Sequence, residues 1–249
     1  RLCLSKIGSI KIKLHRPMAG KIKTLTLRRD RLGNWYACFS CEVEPEPLPA
    51  SDERVGIDLG LTTFATLSNG ETIQRQRWMA QDARDIARLQ RQKERSAKGS
   101  PERHKALRSL NHAYQRVTNH RTDFAHQASR SLVNGCGLIV FEDLDIQAMR
   151  QKGYRTLHKS IDDVAWGQFV QFTSYKAESA GRGVIRIDPR GTTQECSGCR
   201  AIVPKDLSVR IHICPHCGLT LGRDLNAARN ILARGLTSLR HRAVEAPSF

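Results

Sequence analysis

The chain has 249 residues, 39% of them hydrophobic and 26% charged, the balance of an ordinary water-exposed globular protein of one large or two small domains. No stretch approaches the ~18 consecutive apolar residues of a membrane helix, and no basic-then-apolar leader opens it. Forty-one Lys and Arg against 24 Asp and Glu give a net charge of +17, which selects a polyanion, first of all nucleic acid, as partner.

In chain order, residues 4–44 read as β structure. Ile10, Ile12 and Leu14 alternate with Lys11, Lys13 and His15, the period of a half-buried strand. KIKTLTLRR follows with a basic outer face, and Asp30 to Asn34 turns into WYACFSCEVE. The proline-rich 45–50 is the first domain boundary. Val55–Asp58 is a short buried strand, Thr62–Leu67 a second, and Asn69-Gly70 a hairpin turn into a third. From about Gln81 to Leu132 the pattern is helical, broken near Gly99-Ser100-Pro101, with Leu89, Leu107, Leu110, Tyr114, Val117, Phe124 and Leu132 as its inner face. Gly137–Phe141 is a buried strand ending in Glu142. A helix carrying Trp166 and Phe169, a strand Gly183–Ile187, a cysteine-rich insert and an Ala-rich helix Arg223–Ala233 complete the order. Three strands in a meander, then helix, strand, helix, strand and helix, predict an α/β domain with a mixed sheet, antiparallel at one edge and parallel at its centre, in the order of the ribonuclease-H-like fold.

Cys196, Cys199, Cys214 and Cys217 stand as C-x2-C-x14-C-x2-C. Each pair places two thiolates on one tight knuckle, and four sulfurs complete the tetrahedron of a structural Zn²⁺ with no open position. His212 and His216 are read as neighbours of that site, not ligands. Cys38 and Cys41 repeat the C-x2-C spacing on an alternating strand, where residues three apart point to opposite faces and cannot share an ion. Cys3 and Cys136 are small core residues.

Among the acids, Asp58 ends an apolar strand before Leu59-Gly60, Glu142 ends the other strongly apolar strand, and Asp224 opens the last helix. Neighbouring strand ends in a mixed sheet would bring Asp58 and Glu142 together, and a helix packed across the sheet would add Asp224. Three converging carboxylates in so basic a chain imply cations between them, and hard oxygens with open positions suit Mg²⁺ or Mn²⁺. Taken singly, Asp224 reads equally as an N-cap, and Asp143 and Asp145 rival Glu142 as ligands.

GIDLGLTTFATLSNG, FEDLDIQAM, and GTTQECSGC with CPHCG and GRDLNAARNI together resemble the RuvC blocks and zinc ribbon of the TnpB-type family, the OrfB-like proteins of insertion sequences related to type V CRISPR effectors. The upstream HRPMAGKIKTLTLRR resembles the end of that family's wedge barrel. The resemblance implies an RNA-guided, metal-dependent DNA endonuclease with Asp58, Glu142 and Asp224 as catalytic, magnesium-holding acids. Cys196, Cys199, Cys214 and Cys217 become the zinc ligands. The implied partners are target DNA and a guide RNA from the transposon end, in a prokaryotic cytoplasm and on its nucleoid. Lys11, Lys13, Lys21, Lys23, Arg28, Arg29 and the basic helices of 84–130 are the expected phosphate contacts.

The expected division is 1–50 wedge-like, 51–190 RuvC nuclease, 191–221 zinc ribbon, and 222–249 closing helix and tail. Gly222 departs from the family, where an acidic residue commonly precedes the Arg-Asp pair. Arg1 in place of methionine suggests a fragment whose first wedge strands and recognition helices lie upstream. The rival readings are a nucleic-acid-binding regulator without cleavage and an inactive remnant.

Overall fold

The computed structural model describes residues 1–145, 148–149, 164–206 and 208–245. They fall into two compact units, Arg1–Pro45 with Asp85–Gln115, and Glu46–Arg84 with Arg116–Phe249.

The first unit begins with a short hairpin, β1 (Leu2–Leu4) and β2 (Gly8–Ile10), followed by a long antiparallel pair, β3 (Lys21–Arg29) and β4 (Trp35–Glu42). The strand expected through Leu14 stops at Ile10. β1 offers only three residues to pair with, so the alternation of Ile12 and Leu14 has no ladder to join, and Leu14 is exposed. The β3–β4 turn is organised by Asp30: Oδ1 accepts the N–H groups of Leu32 (2.9 Å) and Asn34 (2.8 Å), while Oδ2 accepts from Asn34 Nδ2, Tyr36 Oη and Gln115 Nε2. Desolvation pushes this carboxyl upward, but the donors of Asn34, Tyr36 and Leu32 outweigh it and hold it at about 2. The unit also holds most of α2 (Ala83–Arg95), which follows the short α1 (Trp78–Gln81) in the sequence, and the start of α3 (Pro101–Gly135), where Ile86, Ala106, Leu110 and Ala113 are buried. Arg103 donates to the carbonyls of Lys93 and Ser96, satisfying groups that the end of α2 leaves open. Leu107, assigned to the inner face, is 40% exposed, whereas Leu110 of the same predicted face is buried.

The second unit is a five-stranded sheet of order β7-β6-β5-β8-β9, built from β5 (Arg54–Leu59), β6 (Ala65–Leu67), β7 (Thr72–Ile73), β8 (Leu138–Glu142) and β9 (Gly183–Ile187). β5 and β6, and β6 and β7, are antiparallel, whereas β5–β8 and β8–β9 are parallel. This is the mixed sheet that the element order predicts. Its two faces are covered differently. Val55, Ile57, Leu59, Ile139 and Phe141 pack with Ala125, Leu132 and Val133 of α3 and with Trp166, Phe169 and Val170 of α4 (Trp166–Ser179). Phe64 and Phe169 meet edge-on at 5.0 Å in this layer. Leu138, Val140, Ile185 and Ile187 pack on the other side with Ile231, Leu232 and Leu236 of α5 (Arg223–Glu245). Central parallel strands covered on both faces read as continuous apolar runs, which is why β5 and β8 stand out in the sequence.

Helix α5 lies close against the sheet. A Cβ on Gly56 of β5 would sit 2.3 Å from the Ala228 carbonyl oxygen and 2.5 Å from Leu232 N, and a Cβ on Gly235 would sit 2.6 Å from Val140. One glycine on the strand and one on the helix let the two backbones approach. The helix also runs to Glu245, beyond the Ala233 end expected from the sequence, because Gly235 serves this packing and does not terminate it. The cysteine-rich insert adds a short hairpin, β10 (Ile211–Ile213) and β11 (Thr220–Gly222), just ahead of α5. Among the described residues, no helix is long and apolar enough to cross a membrane.

Candidate functional site

Strand register brings two of the predicted acids together. On β5 and β8, Gly56 pairs with Val140 and Ile57 with Phe141, so the next rung sets Asp58 beside Glu142 at the carboxyl ends of two parallel strands. The period of two then fixes their face. Val55, Ile57, Ile139 and Phe141 point to α3 and α4, so Gly56, Asp58, Val140 and Glu142 point to α5. Asp224 lies in the first turn of that helix, one residue inside it and past the N-cap position. Its Oδ1 accepts from Arg223 Nε at 3.2 Å.

The electrostatics follow from that crowding. Burial, then repulsion from Glu142 and Asp224, push the Asp58 carboxyl up to about 8 against the pull of Arg223. Burial also raises Glu142, opposed by the Thr192 hydroxyl and by Arg234. Asp58 therefore holds a proton near neutral pH unless a cation takes its place. The rivals of Glu142 are engaged elsewhere: Asp143 faces Arg186 at 3.7 Å with both side chains exposed, and Asp145 Oδ1 accepts the Ala148 N–H at 2.9 Å. Ile146 and Gln147 of the same block lie outside the described residues.

The four cysteines converge. Ligand atoms of Cys196, Cys199, Cys214 and Cys217 all lie within 4.8 Å of one another, the one such group of three or more His, Cys, Asp or Glu among the described residues. Sγ of Cys196 and Cys217 are 3.7 Å apart, and those of Cys199 and Cys214 are 3.6 Å apart. A tetrahedral ion with bonds of about 2.3 Å sets its sulfurs about 3.8 Å apart, close to the spacing of these two pairs. Burial works against the Cys196 thiolate, but the Cys199 N–H, the His212 ring and the Gly198 N–H bring its thiol below the usual range. Burial likewise opposes ionisation of Cys214, yet the N–H groups of Cys217 and His216 and the thiols of Cys217 and Cys196 lower it to about 6. At Cys217 the Leu219 N–H is outweighed by burial and the other three sulfurs, which push it up to about 12. Four thiolates share this space only if a cation neutralises them. His212 is fully buried beside the cluster with Lys205 Nζ at its Nδ1, and His216 is exposed. Cys38 faces outward from β4 while Cys41 is half-buried, so the second C-x2-C pair forms no site.

Several residues that matter here lie inside the quoted blocks but were not singled out in the sequence. Thr192 Oγ1 donates to Glu142 Oε1 at 2.5 Å. On α5, Asn226 and Asn230 are fully buried in an apolar face and bond the backbone of residues 192–197. Two buried asparagines one turn apart in an Ala-rich helix were the available signal. The basic residues proposed for phosphate contact are exposed: Lys21, Lys23, Arg28 and Arg29 along β3, and Lys11 and Lys13 after β2. Lys23 pairs with Glu42 at 2.6 Å, and Arg29 lies over the Trp35 ring at 5.8 Å.

Comparison with known proteins matches these blocks to two family models. Residues 38–153 match the OrfB_IS605 family model, described as "Probable transposase", and residues 166–231 match the "Cas12f1-like, TNB domain". A Streptomyces pristinaespiralis protein named "Putative RNA-guided DNA endonuclease" is 37% identical across 96% of this chain and 60% of its own length. The "CRISPR-associated endodeoxyribonuclease Cas12f1" of Sulfoacidibacillus thermotolerans is 31% identical across 81% of this chain and 50% of its own length. A cryo-EM structure of a CRISPR-Cas12f ternary complex shares the fold, with a TM-score of 0.57 at 16% identity over 84% of this chain and 44% of that one. The chain thus spans half to three-fifths of the length of these two relatives. With both family models in order along it, the chain is similar to the TnpB-type, OrfB-like family over most of its length.

Proposed function

We propose that this chain is the nuclease portion of an RNA-guided, metal-dependent DNA endonuclease of a mobile element. In this reading residues 51–190 form a RuvC domain of ribonuclease-H-like topology, completed by 222–249. Residues 191–221 form a structural zinc ribbon, and residues 1–50 belong to a wedge. The observation that carries the proposal is the meeting of Asp58 and Glu142 on adjacent parallel strand ends, facing the helix turn that bears Asp224. Carboxylates crowded until one is forced to keep its proton are the donor set that a hard dication relieves.

Asp58, Glu142 and Asp224 would hold Mg²⁺ or Mn²⁺, and divalent ions there supply water activation and charge neutralisation for phosphodiester hydrolysis. The chain's own contribution is placement. The sheet fixes Asp58 and Glu142 relative to one another, the packed helix fixes Asp224, and the apolar layers beneath keep the site partly desolvated. Affinity for the polyanion comes from elsewhere, from exposed Lys and Arg on 11–29 and from the face of α2 lined by Arg88, Arg91 and Arg95. Guide RNA and target DNA are the partners this charge suits. The four thiolates would close a zinc shell and supply folding free energy to the insert.

The test is cleavage of a guide-matched DNA by the full-length protein in Mg²⁺ or Mn²⁺. Asp58→Ala is expected to lower cleavage by at least 10³-fold, roughly the scale of removing an essential catalytic group, while guide RNA and DNA affinity stay within about twofold because phosphate contacts supply them. Cleavage at the parent rate overturns the assignment. Binding without cleavage by the parent itself establishes the regulator in its place.

A further inference from the structure

Glu142 is held by a contact that nothing in its own strand provides. Thr192 is 2% exposed and lies in the turn leading from β9 to the first cysteine pair. Its hydroxyl has one proton and two acceptors in range, Glu142 Oε1 at 2.5 Å and the Pro189 carbonyl at 3.1 Å. The shorter distance is that of a charge-assisted O–H···O⁻ bond, so the proton goes to Glu142. One carboxylate oxygen is thereby occupied and the other left for a ligand, with the rotamer of a long flexible side chain fixed.

The hydroxyl is in turn held by α5. Asn230 Nδ2 donates to the carbonyls of Thr192 (2.9 Å) and Glu195 (2.7 Å). One turn earlier, Asn226 Nδ2 donates to the Glu195 carbonyl at 2.7 Å and its Oδ1 accepts the Ser197 N–H at 2.9 Å. One turn later, Arg234 donates to the Arg190 carbonyl at 2.7 Å and to Glu195 Oε2 at 2.8 Å. Three polar side chains at i, i+4 and i+8 thus lace residues 190–197 to the helix whose first turn carries Asp224. Burying two asparagines in an apolar face is unfavourable unless their bonds are made; four are, and of the two side chains only Asn230 Oδ1 has no partner among the described residues.

We propose that Thr192 is a positioning residue for Glu142, held in place by the Asn226–Asn230 ladder, so that loading of the carboxylate site with a divalent ion depends on this turn. The proposal rests on the carboxylates being a metal site, as argued above. Partners that orient a ligating carboxylate or imidazole typically change metal affinity severalfold or more when removed.

The experiment titrates Mn²⁺ alone into the purified full-length protein without nucleic acid, reading free Mn²⁺ by electron paramagnetic resonance, with zinc content and the unfolding midpoint measured alongside. Thr192→Val, which keeps the shape and drops the donor, is expected to weaken Mn²⁺ binding about 10-fold, the lower end of such effects, with zinc content unchanged. Thr192→Ser, which keeps the hydroxyl, is expected to restore it. Thr192→Ala is the second variant should the valine side chain prevent folding, with the same expectation. Asp58→Ala is the reference and loses Mn²⁺ binding. If Asp58→Ala loses it while Thr192→Val or Thr192→Ala binds as the parent does, the role of Thr192 is overturned and the carboxylate site stands. Thr192→Ser falling as far as Thr192→Val also overturns it. If Asp58→Ala binds as the parent does, the carboxylate site and this inference fall together.

Discussion

Gly56 meets the backbone of Ala228 so closely that a Cβ on it would lie 2.3 Å from the carbonyl oxygen. Backbone cannot yield as a flexible side chain can, so Gly56→Ala must lift α5 from β5. The expected cost is above about 3 kcal/mol, beyond ordinary overpacking, read as a lower urea midpoint. Gly135→Ala, where a Cβ meets nothing within 4 Å, is expected to shift the midpoint by less than about 0.5 kcal/mol.

Asp58 gives a pH signature in buffer free of Mg²⁺ and Mn²⁺. Its carboxyl is raised to about 8 in the fold from an ordinary value near 3.8, so the folded state binds the extra proton between those limits. Stability is therefore full below about pH 4 and is lost as pH rises toward 8. Asp58→Asn, which mimics the protonated form, is expected to flatten that decline and to exceed the parent in stability at pH 8. A parent curve as flat as the variant's would refute the half-buried, crowded carboxyl.

The cysteine cluster is expected to bring about one Zn²⁺ per chain through purification under reducing conditions. Cys214→Ser lowers zinc content and solubility together, because metal binding in so small a module is also its folding free energy. Cys38→Ser leaves zinc content at the parent value, since Cys38 is an exposed thiol outside the four-cysteine cluster. Metal analysis of freshly reduced protein decides both.

Nucleic-acid affinity is expected to fall steeply with salt, with a log–log slope of several units. Each phosphate that is no longer neutralised lowers the slope by roughly 0.7–0.9, so replacing Lys11, Lys13, Lys21 and Lys23 by Glu reduces it measurably. Lys23 contributes least, being paired with Glu42. An unchanged slope moves the footprint to the arginines of α2.

The readable parts of this sequence were those where a single physical demand dominates. β5 and β8 are buried on both faces, so their apolar runs and terminal acids could be recognised, and the parallel pairing of such strands puts Asp58 next to Glu142. Four cysteines in two knuckles need no tertiary context. What escaped depends on partners that the local pattern does not name. Ile12 and Leu14 alternate like a strand, but pairing requires a neighbour that β1 is too short to be. Leu107 fits a helical stripe and still lies exposed. Thr192 matters because of a carboxylate fifty positions away, a partner that the GTTQECSGC block around it does not name.

There is no linker between β11 and α5. The strand ends at Gly222, the helix begins at Arg223, and Asp224 follows at once. The β10–β11 hairpin is therefore a lever fused to the root of that helix, with Ile211 and Ile213 exposed along its arm. Torque applied to the hairpin reaches the Asp224 carboxylate across two peptide bonds, with no flexible joint to absorb it.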